Sequence, residues 1–192
     1  MGYRTPDLSN IYDLGLARTG AAHLEDALTG LDAARAAAPA RVTVVAHSYG
    51  STTAMVALST HRVTVDSLVV LGSPGSVVTR ADELAVRGGD VYAAAGSFDP
   101  VAGSAFYGPD PGSGAFGAVL LHTGGAVDPL TSTRLGAALG HNSYLRPGTE
   151  TARDVALDQV AAAEADERVP GEPRPEVPGL GLVRPQDLYP RD

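Results

Sequence analysis

Residues 42–58, Val-Thr-Val-Val-Ala-His-Ser-Tyr-Gly-Ser-Thr-Thr-Ala-Met-Val-Ala-Leu, constrain the fold more than any other stretch. Val42 to Ala46 is a short, β-branched apolar run, the mark of a buried strand. Ser51 to Leu58 reads as a helix with small residues on its early turns. His47-Ser48-Tyr49-Gly50 lies between them. A strand, a sharp turn with a central Ser and a helix lift a hydroxyl clear of a sheet, which is what a serine nucleophile requires. Small residues must stand two positions to either side of that Ser, because the strand and helix backbones nearly touch there. Ala46 and Gly50 fill those positions. Gly at both is the usual pattern, and Ala46 is a departure that keeps the volume small. Tyr49, the next residue, would offer its backbone N–H at the helix N-terminus to a developing oxyanion. The plainer alternative is an ordinary strand-to-helix turn with Ser48 as N-cap.

Further elements alternate along the chain. Residues 2–19 read as loop, and 20–38 as a helix with an apolar stripe through Leu24, Leu28 and Leu31, ended by Pro39. Asp66 to Leu71, Val91 to Ala95 and Ala118 to Leu121 read as strands. Thr79 to Glu83 has the look of a helix start, and Thr149 is expected to cap a last helix reaching about Glu167. Strands alternating with helices predict a parallel sheet with right-handed crossovers. In such a sheet the site forms at the carboxyl ends of the strands.

A serine nucleophile needs a His to take its proton and an acid to orient that His. Asp99, in Ser-Phe-Asp-Pro just after the third strand, is the best acid, with an Asx-turn as its ordinary alternative. His141, in the loop before the last helix, is the best base; a surface His is the alternative. His122, at the end of the fourth strand, is the runner-up base. His47 is set aside because it adjoins Ser48 and is expected to point away along the turn. Asp66 and Asp90 precede strands, and Ser73 in Gly-Ser-Pro-Gly reads as a turn residue.

The ordered set of Gly2-Tyr3-Arg4-Thr5-Pro6, His47 to Thr52, Leu71 to Gly75, Asp99-Pro100, Gly108-Pro109-Asp110-Pro111, Phe116-Gly117-Ala118 and His141 to Tyr144 resembles an actinobacterial α/β-hydrolase family of formerly unknown function. The resemblance implies an α/β-hydrolase fold and a triad on Ser48, Asp99 and His141. It implies no defined substrate. Members usually carry, upstream of the Gly-Tyr-x-Thr-Pro block, two strands and a loop that donates the second oxyanion N–H. The expectation is therefore a fold lacking its N-terminal strands, with Val42–Ala46 as an edge strand. An upstream segment or partner chain would then complete the sheet.

One domain is expected over residues 1–167, followed by a disordered tail over 168–192, which holds six prolines and no periodicity. A net charge of −8 and a pI of 5.0 argue against nucleic acid or an anionic membrane as partner. With no cysteine, a disulfide, a thiolate metal site and a Cys nucleophile are excluded. No stretch approaches the length of a membrane span. The opening residues have no apolar signal core, which points to the cytoplasm and leaves secretion open if the start is truncated. These features together predict a serine hydrolase acting on an acyl or lipid ester, with no metal or organic cofactor needed. The rivals are a catalytically weak remnant or binding domain, and a hydrolase module of a larger secreted effector.

Overall fold

The computed structural model describes residues 13–160. The loop expected before residue 13, the end of the last helix and the tail expected over 168–192 lie outside the described residues. The order is α1 (Gly15–Ala34), β1 (Thr43–His47), α2 (Tyr49–Ser59), β2 (Ser67–Leu71), β3 (Val91–Ala94), β4 (Val119–Leu120) and α3 (Glu150–Val160). The four strands form one parallel sheet in the order β1-β2-β3-β4. Among the described residues, β1 pairs only with β2.

The period of two along each strand divides the interior into two cores. Val44, Ala46, Leu68, Val70 and Ala93 share one face, with Met55 and Leu58 of α2 and Leu24 and Leu28 of α1 packed over them. Val45, Val69, Leu71, Tyr92 and Ala94 share the other, under Ala138, Tyr144 and Val155 of α3. Register agrees with this split, since Val45, Val69 and Tyr92 lie side by side across the sheet. β2 is buried at all five positions, as a near-continuous apolar strand covered on both faces should be. Each large side chain buried here contributes roughly 1.5–3 kcal/mol.

Three elements depart furthest from the sequence expectation. α1 begins at Gly15, so residues 15–19 are helix rather than loop. The Asp13 carboxylate accepts the Gly15 N–H at 2.8 Å and starts the helix in spite of its glycine. Ala17, Gly20 and Ala21 are buried on α1, which packs against α2. Residues 79–83 form only a 3₁₀ turn, Ala81–Glu83. The Glu83 carboxylate accepts the N–H groups of Thr79 and Arg80. The following backbone then commits its own N–H groups elsewhere, Ala85 to the Leu58 carbonyl and Arg87 to the Val65 carbonyl, so no helix can propagate. The fourth strand is two residues long, shorter than the expected 118–121.

Candidate active site

The turn between β1 and α2 holds Ser48 at φ 57° and ψ −135°. A left-handed φ at a non-glycine residue costs of order 1–3 kcal/mol and persists only where surrounding contacts enforce it. Here the Ser48 N–H donates to the Leu71 carbonyl of β2 at 2.9 Å, and its own carbonyl accepts both the N–H and the hydroxyl of Ser51. The Tyr49 hydroxyl accepts the Ala17 N–H of α1 at 2.9 Å, which pins the first turn of α2 from the far side. Tyr49 is the first residue of α2, so its N–H belongs to the helix N-terminus beside Ser48.

Across the carboxyl ends of the strands, the structure brings Ser48, His141 and Asp99 together. His141 Nε2 lies 2.7 Å from Ser48 Oγ. His141 Nδ1 lies 2.9 and 3.0 Å from the two oxygens of Asp99. With its proton on Nδ1, the ring donates to the carboxylate and presents a bare Nε2 to the hydroxyl. His122 is elsewhere: its Nδ1 lies 2.6 Å from Glu150 at the start of α3. His47 does not point away as expected. Its ring centroid lies 4.5 Å from that of His141, and its Nε2 lies 2.6 Å from the His141 carbonyl. Burial lowers the His47 pKa; the bond to that carbonyl opposes the shift without cancelling it. Ser73 is a turn residue, its Oγ accepting the Gly75 N–H.

Asp99 is 1% exposed, and three further donors surround it. Oδ1 accepts the N–H groups of Val101 and Ala102 at 2.8 and 3.1 Å, and Oδ2 accepts the Tyr144 hydroxyl. Burial alone would push this carboxyl up. The bonds from His141, Tyr144 and the two backbone groups overcome burial and hold it at about 2 instead of 3.8. The Tyr144 hydroxyl also accepts the Gly96 N–H at 2.8 Å, so both of its hydrogen-bonding directions are used.

Tyr144 and Gly72 are the residues that sequence reasoning left without a role. Tyr144 stood inside the His-Asn-Ser-Tyr block, where its buried partner 45 positions earlier was invisible. Gly72, at φ 58°, lies directly against the His141–Asp99 contact: a Cβ there would meet Asp99 Oδ2 at 2.7 Å and His141 Nδ1 at 3.2 Å. The only available signal was a glycine immediately after a buried strand.

The depressed Asp99 pKa has a defined consequence for stability. A carboxyl lower in the folded chain than in the unfolded one stabilises fully above the unfolded value, and that contribution is lost as pH falls through the folded value. For Asp99 the window runs from 3.8 down to about 2. Tyr144→Phe removes one donor from Asp99 Oδ2 and the bond between the Gly96 N–H and the Tyr144 hydroxyl. The folded pKa should rise toward 3.8, the midpoint of acid unfolding should move to higher pH, and stability at neutral pH should fall by about 1–3 kcal/mol. Acid titration followed by circular dichroism checks this; an unmoved midpoint would mean that the Tyr144 bond stabilises nothing.

Among the described residues, no group of three or more His, Asp or Glu side chains is gathered to hold a metal ion, and no helix is long and apolar enough to cross a membrane.

A family profile described as alpha/beta hydrolase matches residues 1–109, more than half of the 192-residue chain. An uncharacterized protein of Mycobacterium tuberculosis is 37% identical over 105 residues, covering 53% of this chain and 16% of that protein. An uncharacterized protein of Mycobacterium bovis is 32% identical over 136 residues, covering 70% of this chain and 49% of that protein. The chain thus spans half or less of the length of these curated relatives. No solved structure matches it at a significant level.

Proposed function

The chain belongs to the α/β-hydrolase family, and on that premise we propose that it is a serine hydrolase cleaving an acyl or lipid-type ester through an acyl-enzyme. The observation that carries this reading is the His141 ring, with one nitrogen 2.7 Å from a strained Ser48 and the other 2.9 Å from a buried, ionised Asp99. In this reading Ser48 Oγ attacks the ester carbonyl carbon while His141 Nε2 takes its proton. The Tyr49 N–H donates to the oxygen that becomes negative. Collapse of the tetrahedral intermediate breaks the bond to the alcohol oxygen, which leaves with the proton from His141. A water then gives a proton to His141 and attacks the acyl carbon, and the returning proton frees Ser48 and a carboxylic acid. Asp99, ionised throughout, orients His141 and stabilises its imidazolium. An apolar acyl group is favoured by large, exposed apolar side chains close in sequence to the proposed catalytic residues. Phe98 immediately precedes Asp99 and is 58% exposed; Leu139 lies two residues before His141 and is also 58% exposed.

A fluorophosphonate probe tests the reading. It should modify the chain at one position, and peptide mapping should locate the adduct on Ser48. An adduct on Ser73 or Ser143 would refute the nucleophile. No adduct at all would favour a binding role on a hydrolase scaffold.

A further inference from the structure

His141 stands in a long connection between β4 and α3, held by little regular pairing. Only isolated bridges mark the segment: Ser97 with Leu139, Val127 with Arg134 and Gly136 with Thr149. The Gly140 N–H reaches the Ser97 carbonyl at 2.7 Å, and the Ser143 hydroxyl reaches the Gly140 carbonyl at 3.2 Å. A ring nitrogen in such a segment can meet the nucleophile accurately only if the backbone that carries it is held. The contact on the backbone of His141 itself comes from His47. A carbonyl only accepts, so the 2.6 Å separation requires the proton on His47 Nε2. The His47 ring also lies along one side of the His141 ring, tilted by 40°, and stands 5.8 Å from the Tyr144 ring.

His47 is the last residue of β1 and Ser48 follows it directly. The same strand end therefore presents the nucleophile and grips the backbone of the residue opposite it. We propose that His47 is a positioning residue for the base, its Nε2–H clamping the His141 carbonyl so that Ser48 and His141 take their separation from one strand terminus. The inference rests on the assignment of Ser48 as nucleophile and His141 as base.

The chemistry gives the clamp its value. Proton transfer from Ser48 must coincide with attack on the carbonyl carbon, and a displacement of about 1 Å at such a centre costs roughly 100-fold in rate. Substrate binding does not require the same alignment, so a slack base should lower kcat and leave KM nearly unchanged. The group facing His47 is the one that becomes an imidazolium during turnover. A His47 that stays uncharged avoids placing a second cation beside it, and burial favours that form. The groups facing His47 are His141, Asp99 and Tyr144.

Two substitutions separate the clamp from bulk. His47→Phe keeps a ring against His141 and loses the donor. His47→Gln loses the ring and keeps an N–H at a similar reach. With p-nitrophenyl butyrate as substrate, His47→Phe should lower kcat about 10- to 100-fold with KM within about twofold, and His47→Gln should recover most of that loss. Hydrogen exchange on the full chain supplies a readout independent of turnover. Protection of the backbone amides over 139–144 should fall in the Phe variant and persist in the Gln variant. A Phe variant as fast as the unsubstituted chain, or a Gln variant as slow as the Phe variant, overturns the proposal, as does unchanged protection in the Phe variant. If the unsubstituted chain neither turns over ester nor takes the fluorophosphonate, the nucleophile assignment fails. The exchange measurement then still decides whether the clamp exists.

Discussion

His141→Ala is expected to lower kcat on an activated ester at least about 1000-fold, with little change in KM. An unassisted serine hydroxyl is a weak nucleophile near neutral pH, and removal of the base in such triads removes most of the chemical rate enhancement. The residual rate comes from oxyanion stabilisation and substrate binding, which the substitution leaves in place. Neither His122 nor His47 can stand in. His122 is held by Glu150 at 2.6 Å, and His47 directs its Nε2 at the carbonyl of residue 141. The fold should survive, because Asp99 keeps the Tyr144 hydroxyl and the N–H groups of Val101 and Ala102. Steady-state kinetics on His141→Ala, beside His122→Ala as a control of near-normal rate, check the expectation. A His141→Ala chain within tenfold of the unsubstituted rate would remove His141 from the mechanism.

Gly72→Ala should be nearly as severe, although Gly72 takes no part in any chemical step. Two costs combine at this position. The backbone sits at φ 58°, where a side chain costs roughly 1–2 kcal/mol. The added methyl would also approach Asp99 Oδ2 to 2.7 Å and Tyr144 Cε2 to 2.9 Å. Neither neighbour can yield cheaply, since Asp99 and Tyr144 are 1% and 2% exposed and bonded to each other. Relief must move the carboxylate away from His141 Nδ1, and an acid that no longer orients its His costs about 100- to 10,000-fold in kcat. Thermal stability should fall in the same variant, by several degrees for a chain of this size. Kinetics and a melting curve together test this. A Gly72→Ala chain with normal kcat would show that the His141–Asp99 contact tolerates displacement.

Local chemistry made part of this molecule readable in advance. A strand, a turn with small residues at Ala46 and Gly50, and a helix form from neighbours in sequence, because the steric demand on each comes from backbone a few residues away. The family profile and the parallel sheet agree with the hydrolase fold expected from that stretch. Parallel strands align their carboxyl ends, so the connections that leave those ends converge: Ser48 directly follows β1, Asp99 lies in the turn after β3, and His141 is carried by the long connection after β4. The start of α1 is harder to read, because Gly15 is a poor helix former that the Asp13 carboxylate and packing against α2 override.

Residue types in the sequence are enough to specify the turn that presents Ser48, the alternation of strands and helices that covers both faces of the sheet, and a short list of acids and bases for that serine. Each follows from residue types acting over a few positions of chain. How those groups are held emerges only when distant segments meet in the folded chain. Tyr144 donating to Asp99, Gly72 leaving room for the carboxylate, and His47 reaching the His141 carbonyl are contacts between residues 27 to 94 positions apart. Their energies depend on distances of a few tenths of an ångström inside a desolvated interior. No pattern of neighbouring side chains encodes those distances, because they arise when separate loops meet over the end of one sheet.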